Sequence, residues 1–149
     1  MNEKRCFLIG SRFVPQKLRE KLTEAVKTHI IEYGVDTFIV GQYGNFDLMT
    51  QGILREVKQD YKHIQLYLLA PYAMTQKVET PNSFDGILYP EGLEVVPLRF
   101  AIVQANRKMV QNSDYLITYY HHIGSIRNII EYARNQEKKG LIKVTLVFE

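Results

Sequence analysis

The sequence predicts an α/β protein whose mainly parallel, doubly wound sheet has about five or six strands. Short apolar runs typical of buried strands alternate with longer segments in which apolar residues recur every three or four positions. Glycine or proline lies near most of the boundaries between them. Because strands and helices alternate, we expect right-handed crossovers between parallel strands. Repeats and linkers are absent, so we expect a single domain over residues 1–149.

The turn residues place each element in order. The strands are expected at residues 5–9, 37–40, 64–70, 115–120 and 142–148. Pro15 suits the first turn of the first helix, which Gly34 ends, and Asn45 can cap the second. Pro97 begins the third helix. Gly124 and Ser125 begin the fourth, which ends at Gly140.

Residues 71–97 break the pattern. They hold four of the five prolines, so we expect an irregular insert or lid with one short strand at 86–89. This segment could equally be a dimer surface or a purely structural cap.

Composition narrows the class of protein. Lys and Arg number 19 against 16 Asp and Glu, a net charge of +3 that is too small to favour a nucleic-acid partner. The single cysteine, Cys6, excludes a disulfide scaffold and is expected to be a buried structural thiol, with a reactive thiol as the alternative. The longest apolar run is too short for a membrane span, and no secretory pattern is visible, so we expect a cytoplasmic protein without a membrane partner.

Glycine follows three of the predicted strands. The loops at 10–12, 41–47 and 119–125 combine it with the start of a helix, where backbone N–H groups and a partial positive charge suit phosphate. The alternative is that these glycines only form tight turns. Because ligands of open α/β sheets bind beyond the carboxyl ends of the strands, we expect a cleft for a phosphate-bearing small molecule there. Neither G-x-G-x-x-G nor the phosphate-loop motif is present, which disfavours classical NAD or ATP binding.

Several side chains have two interpretations. Asp47 is either a carboxylate that the helix dipole stabilises or a contact to a ribose hydroxyl or base. Ser125 either caps a helix or holds phosphate. His121 and His122 are adjacent and lack the spacing of a metal site, so no metal is expected. No catalytic residue is assigned. The candidate ligand-binding residues are Gly10, Ser11, Arg12, Gly41, Tyr43, Gly44, Asp47, Arg99, Asn106, Arg107, Tyr120, Gly124 and Ser125.

A set of short motifs, in order, resembles the YpsA-like branch of the SLOG superfamily. It covers nearly the whole chain: 10–12, 41–47, 84–94, 96–102, 106–110 and 113–117. The superfamily includes Lonely Guy (lysine decarboxylase-like) phosphoribohydrolases, molybdenum-cofactor carriers and the DprA recombination mediators. The resemblance implies a Rossmann-like three-layer fold that binds a nucleotide or nucleotide derivative as a sensor or carrier, and a homodimer.

The sequence departs from the hydrolases of that superfamily. They carry a glycine pair and a threonine closely followed by a catalytic glutamate, whereas residues 123–128 keep one glycine and no acid, and Glu131 lies farther on. Cleavage of an N-glycosidic bond needs a placed carboxylate. We therefore expect binding without this reaction, with a nucleotide N-glycosidase as the alternative and a DprA-like DNA-processing protein as a weaker one.

Overall fold

The chain forms an α/β fold in a computed structural model that describes residues 3–71, 82–119 and 126–148. The strands are β1 (Arg5–Gly10), β2 (Thr37–Val40), β3 (Gln65–Leu69), β4 (Gly86–Leu88), β5 (Tyr115–Tyr119) and β6 (Lys143–Leu146). The helices are α1 (Leu18–Ile31), α2 (Asn45–Asp60), α3 (Leu98–Gln111) and α4 (Arg127–Lys138). The predicted α/β class and the short strand in the proline-rich segment are confirmed.

All strand pairs in the sheet are parallel, in the order β4-β3-β2-β1-β5-β6. The chain winds outward from β1 through β2, β3 and β4, and then crosses to the other side of β1 to form β5 and β6. The strand order therefore reverses between β1 and β5, where Ile9 is paired with Thr118 and Gly10 with Tyr119. In doubly wound sheets ligands bind at the carboxyl ends of the two strands that flank this reversal.

The sheet lies between two helical layers. Successive side chains of a strand point to opposite faces, so Cys6 and Leu8 of β1 pack with α1 and α2, while Phe7 and Ile9 pack with α3 and α4. This is the three-layer, Rossmann-like arrangement. Cys6 is fully buried, and burial raises the pKa of its thiol well above the ordinary value, as expected of a structural cysteine.

Several element boundaries differ from the sequence prediction, those of β1, β3 and β4 by one residue. Pro15 precedes α1, because its carbonyl accepts the N–H of Leu18 in a turn before the helix starts. The residue that caps α2 is Gly44, with φ of 92°, and Asn45 is the first helical residue. In that backbone region an L side chain is strained, which explains why glycine takes the position of the cap. Strand β6 is shorter than predicted and ends at Leu146.

A buried histidine lies near the amino end of β5. His29 is 1% exposed and meets the rings of Tyr33 and Tyr115 edge-on, with centroids 5.0 and 5.5 Å away. Its Nδ1 lies 2.7 Å from the carbonyl oxygen of Ala25, which makes Nδ1 the donor, and no described residue partners Nε2. Burial lowers the pKa of His29, the Ala25 carbonyl opposes this shift, and the nearby charge of Lys143 adds to it.

We expect His29 to make the protein less stable in acid. Its pKa is lower in the folded state than the ordinary 6.5, so the unfolded chain binds more protons in this range, and the free energy of unfolding decreases as the pH falls below about 6.5. His29→Phe keeps the edge-on ring contacts and removes this ionisation. Urea titrations from pH 5 to pH 7.5 should show that the variant becomes more stable relative to the wild type as the pH falls, and a constant difference between the two proteins would contradict the expectation.

Among the described residues, no helix is both long and apolar enough to cross a membrane.

Candidate functional site

A cleft of about 170 Å³ opens at the carboxyl ends of β1, β2 and β3, against α3. It is smaller than the roughly 300–1,000 Å³ of pockets that enclose drug-sized ligands, and so it suits a small ligand or one part of a larger one. Thirteen residues line it: Phe7, Ile9, Gly10, Arg12, Gly41, Tyr43, Asp47, Leu69, Pro71, Ile102, Ala105, Asn106 and Ile126. Six of these are candidates from the sequence: Gly10, Arg12, Gly41, Tyr43, Asp47 and Asn106.

Arg12 brings a positive charge to the cleft. Its carbonyl oxygen accepts the N–H of Asn45 at 2.9 Å, which ties the loop after β1 to the first residue of α2. Its side chain is exposed and forms no hydrogen bond or ion pair with any other described residue. The guanidinium therefore keeps its full capacity to bind an anion through two parallel N–H donors.

Asp47 brings a carboxyl group to the same cleft. It lies in the first turn of α2, is 7% exposed, and accepts the backbone N–H of Tyr43 through Oδ2 at 2.9 Å. Burial raises the pKa of Asp47 to about 7, and the hydrogen bond from Tyr43 only partly opposes this shift. The group therefore exchanges its proton near neutral pH, as many functional carboxyl groups in clefts do.

The position of that carboxyl group explains why residue 41 is glycine. A Cβ atom on residue 41 would lie 2.7 Å from Asp47 Oδ2, so any larger residue would displace the carboxyl group. Gln51, one turn beyond Asp47 on α2, donates its Nε2 to the Gly41 carbonyl at 3.1 Å. The loop after β2 is thus held at two points by side chains of α2.

Gly10 has a structural reason to be glycine. A Cβ atom there would lie within 2.7 Å of Phe46 Cε2 and closer still to other atoms of that ring. Phe46 is completely buried and packs with the α1 and α2 layer. The end of β1 is therefore glycine because the Phe46 ring packs against it, and a close approach by ligand is not needed to explain this residue.

Helix α3 brings Asn106 to the cleft, while the two arginines predicted with it lie elsewhere. Asn106 lines the cleft one turn beyond Ile102, and its amide has no hydrogen bond to another described residue. Arg107 lies over the ring of Tyr132 in α4, 4.9 Å from the centroid. Arg99 lies over the neighbouring Phe100 ring at 4.7 Å. Neither arginine is among the lining residues.

The other candidates lie beside the cleft or outside the described residues. Ser11 is buried, and its N–H donates to the Tyr119 carbonyl at 2.9 Å, which joins the loop to β5. Gly44 lies next to Arg12, whose Cα and Cγ are 3.3 Å from the position that a Cβ on residue 44 would take. Tyr120, Gly124 and Ser125, and the histidines at 121 and 122, fall outside the part of the chain that the structure describes.

The apolar half of the cleft was missed by the sequence reasoning. Phe7 and Ile9 extend from one face of β1, Leu69 ends β3, and α3 adds Ile102 and Ala105. These residues have the periodicity of ordinary core residues, and no pattern marks them as lining a ligand site. Gln51 did carry a signal, because it follows Asp47 by four positions, on the same face of the helix.

The described residues contain no group of three or more histidine, cysteine or acidic side chains that could hold a metal ion. In the cleft itself they offer one carboxyl group, one guanidinium, one amide and one phenol. This set suits a ligand that combines an anion with hydrogen-bonding groups and an apolar surface.

Comparison of the chain with protein-family models finds no match, and comparison with curated proteins finds none either.

Proposed function

We propose that the protein binds a nucleotide or a nucleotide-derived small molecule in the cleft at the carboxyl ends of β1 and β2, as a sensor or carrier domain. The observation that carries this proposal is the guanidinium of Arg12, which has no partner among the described residues and lines the cleft beside the start of α2. Positive charge from a helix amino terminus and an arginine fork together favour a phosphate group.

The rest of the cleft supports the same ligand class. Phe7, Ile9 and Ile102 form an apolar wall that could cover the face of a base or sugar. Asp47 and Asn106 supply polar groups that could bind hydroxyl or amide groups of the ligand. The homodimer expected from the resemblance stays a prediction. Phe100 and Val103, 49% and 54% exposed on α3, are apolar surface that such a dimer could cover.

Thermal unfolding with a panel of nucleoside monophosphates, nucleotides and ADP-ribose-like compounds tests the proposal. A ligand at 100 times its Kd stabilises the native state by about 2.7 kcal/mol. We expect Arg12→Ala to remove most of that stabilisation, because charge-assisted hydrogen bonds contribute about 1.5–3 kcal/mol. Arg107→Ala is the matched control, since this arginine lies over Tyr132 and outside the cleft. Equal loss in both variants, or no stabilisation across the panel, would refute the proposed site.

A nucleotide N-glycosidase is the second candidate, favoured by the placement of Asp47. A carboxyl group that titrates near neutral pH is suited to acid or base catalysis. Glu131 does not lie in the cleft, and it forms an ion pair with Arg127 at 3.1 Å on α4. Incubating the panel with the protein and measuring released base by chromatography would separate the two functions. A hydrolase would release base, and Asp47→Asn would stop the release.

A further inference from the structure

Asp47 and Arg12 are the two charged side chains among the described residues that line the cleft. Of the elements around Asp47, the loop after β1 brings Arg12 and the loop after β2 brings the Tyr43 phenol. The ends of β1 and β3, helix α3 and Ile126 bring no titratable group. Helix α1 meets α2 through Arg19, which lies against Gly52 and pairs with Glu56, on the far side of the helix from Asp47. Among the described residues, the charge of the cleft therefore comes from one carboxyl group and one guanidinium.

The backbone of Arg12 is joined to the start of the helix that carries Asp47. Arg12 is bonded through its carbonyl to the N–H of Asn45, two residues before Asp47 in the first turn of α2. The carboxyl group lies against the Gly41 backbone, because a Cβ atom on residue 41 would lie 2.7 Å from Asp47 Oδ2. Among the described residues it has one hydrogen bond, from the Tyr43 N–H, and so the charged form is poorly compensated at a site that is 7% exposed.

We propose that the protonation of Asp47 controls anion binding in this cleft. When Asp47 carries a proton, the cleft admits a doubly charged oxyanion beside Arg12, and when Asp47 is ionised, the cleft repels that anion. The inference rests on the proposed function, since it requires the anion to bind at Arg12. Two like charges that share a cleft of low polarity repel each other strongly, and a neutral carboxylic acid removes this repulsion while adding one O–H donor.

The consequence is that the protein takes up a proton at Asp47 when it binds the anion. An anion bound beside Asp47 favours the neutral acid, and the neutral acid favours the anion, because the coupling is reciprocal. Burial already raises the pKa of Asp47 to about 7, so the change falls near neutral pH. Affinity should be constant in acid and should decrease by up to about tenfold per pH unit above pH 7.

Sulfate is the probe, because it keeps both charges throughout the range from pH 5.5 to pH 8.5, whereas phosphate titrates near pH 6. Its Kd is measured across that range from the shifts of backbone amide signals of the cleft loops. We expect the wild-type Kd to rise by up to about 30-fold between pH 6 and pH 8.5, and the Kd of Asp47→Asn to stay constant. Asp60→Asn, an exposed acid on the same helix, is the control and should follow the wild-type curve.

The outcomes separate this inference from the proposed function. If sulfate binds through Arg12, as shown by weaker binding of Arg12→Ala, but the wild-type curve is flat or Asp47→Asn follows it, the inference is wrong and the anion site stands. If sulfate does not bind at pH 5.5, or binds equally well to Arg12→Ala, the anion site itself fails and the inference with it. A wild-type Kd that rises with pH, together with a Kd that stays constant in Asp47→Asn but not in Asp60→Asn, supports both.

Discussion

Gly10→Ala is expected to destabilise the folded protein by about 1–3 kcal/mol, the range for one methyl group forced into a packed core. The new Cβ would lie within 2.7 Å of Phe46 Cε2, and because the Phe46 ring is completely buried it would have to shift within the packed core. For a chain of this size the melting temperature should fall by about 3–10 °C.

Gly52→Ala is the matched control for that experiment. Gly52 lies inside α2, and its added Cβ would have the Arg19 guanidinium as nearest neighbour at 3.7 Å, an ordinary contact. Alanine is the better helix former, so this variant should be more stable than the wild type by about 0.5–1 kcal/mol. The ring contact itself is tested with Phe46→Leu. If Gly10→Ala lowers the free energy of unfolding by less in the Phe46→Leu protein than in the wild type, the Phe46 ring causes the destabilisation. Additive losses of stability would contradict this explanation.

The sequence was sufficient for the layers of the fold, because strands and helices carry different periodicities. Residues 5–9 form a continuous apolar run, as a strand buried on both faces must, and β1 is covered by helices on both sides. The cap of α2 was harder to predict. Asn45 is a good cap by composition, but the chain turns one residue earlier, at Gly44. The carbonyl of Arg12 binds Asn45 N–H, a tertiary contact that local preference does not contain.

The charged edge of the cleft was partly predictable, since glycine loops at strand ends mark the place where ligands of such sheets bind. The surroundings of Asp47 were not. Its carboxyl group is buried only because Gly41 leaves space for Oδ2 and Tyr43 offers a backbone N–H, and both depend on how the β2 loop folds onto α2. The two arginines of α3 were predicted to lie in the cleft and do not line it. Seven positions separate Arg99 from Asn106, yet helical spacing alone did not show that aromatic rings hold Arg99 and Arg107 outside the cleft.

Asp47→Asn is expected to stabilise the protein in alkaline solution. The pKa of Asp47 is raised from the ordinary 3.8 to about 7 in the folded state, so the folded protein binds more protons than the unfolded chain between these values. The contribution of Asp47 to the free energy of unfolding therefore falls as the pH rises from 4 to 7, by a total on the order of 4 kcal/mol at full ionisation. Asparagine has no such charge, and its side-chain oxygen can still accept the Tyr43 N–H.

Urea titrations of both proteins at a series of pH values measure this difference. His29 contributes its own pH dependence equally to both, so the difference between the two curves isolates Asp47. We expect the advantage of Asp47→Asn to grow from pH 4 to pH 8 and then to level off. If the two curves stay parallel, Asp47 is an ordinary ionised carboxylate in the folded protein, and the expectation is wrong. If they diverge, the buried Asp47 carboxyl group destabilises the folded wild type when it is ionised. Such a cost is expected of a residue that serves binding rather than folding.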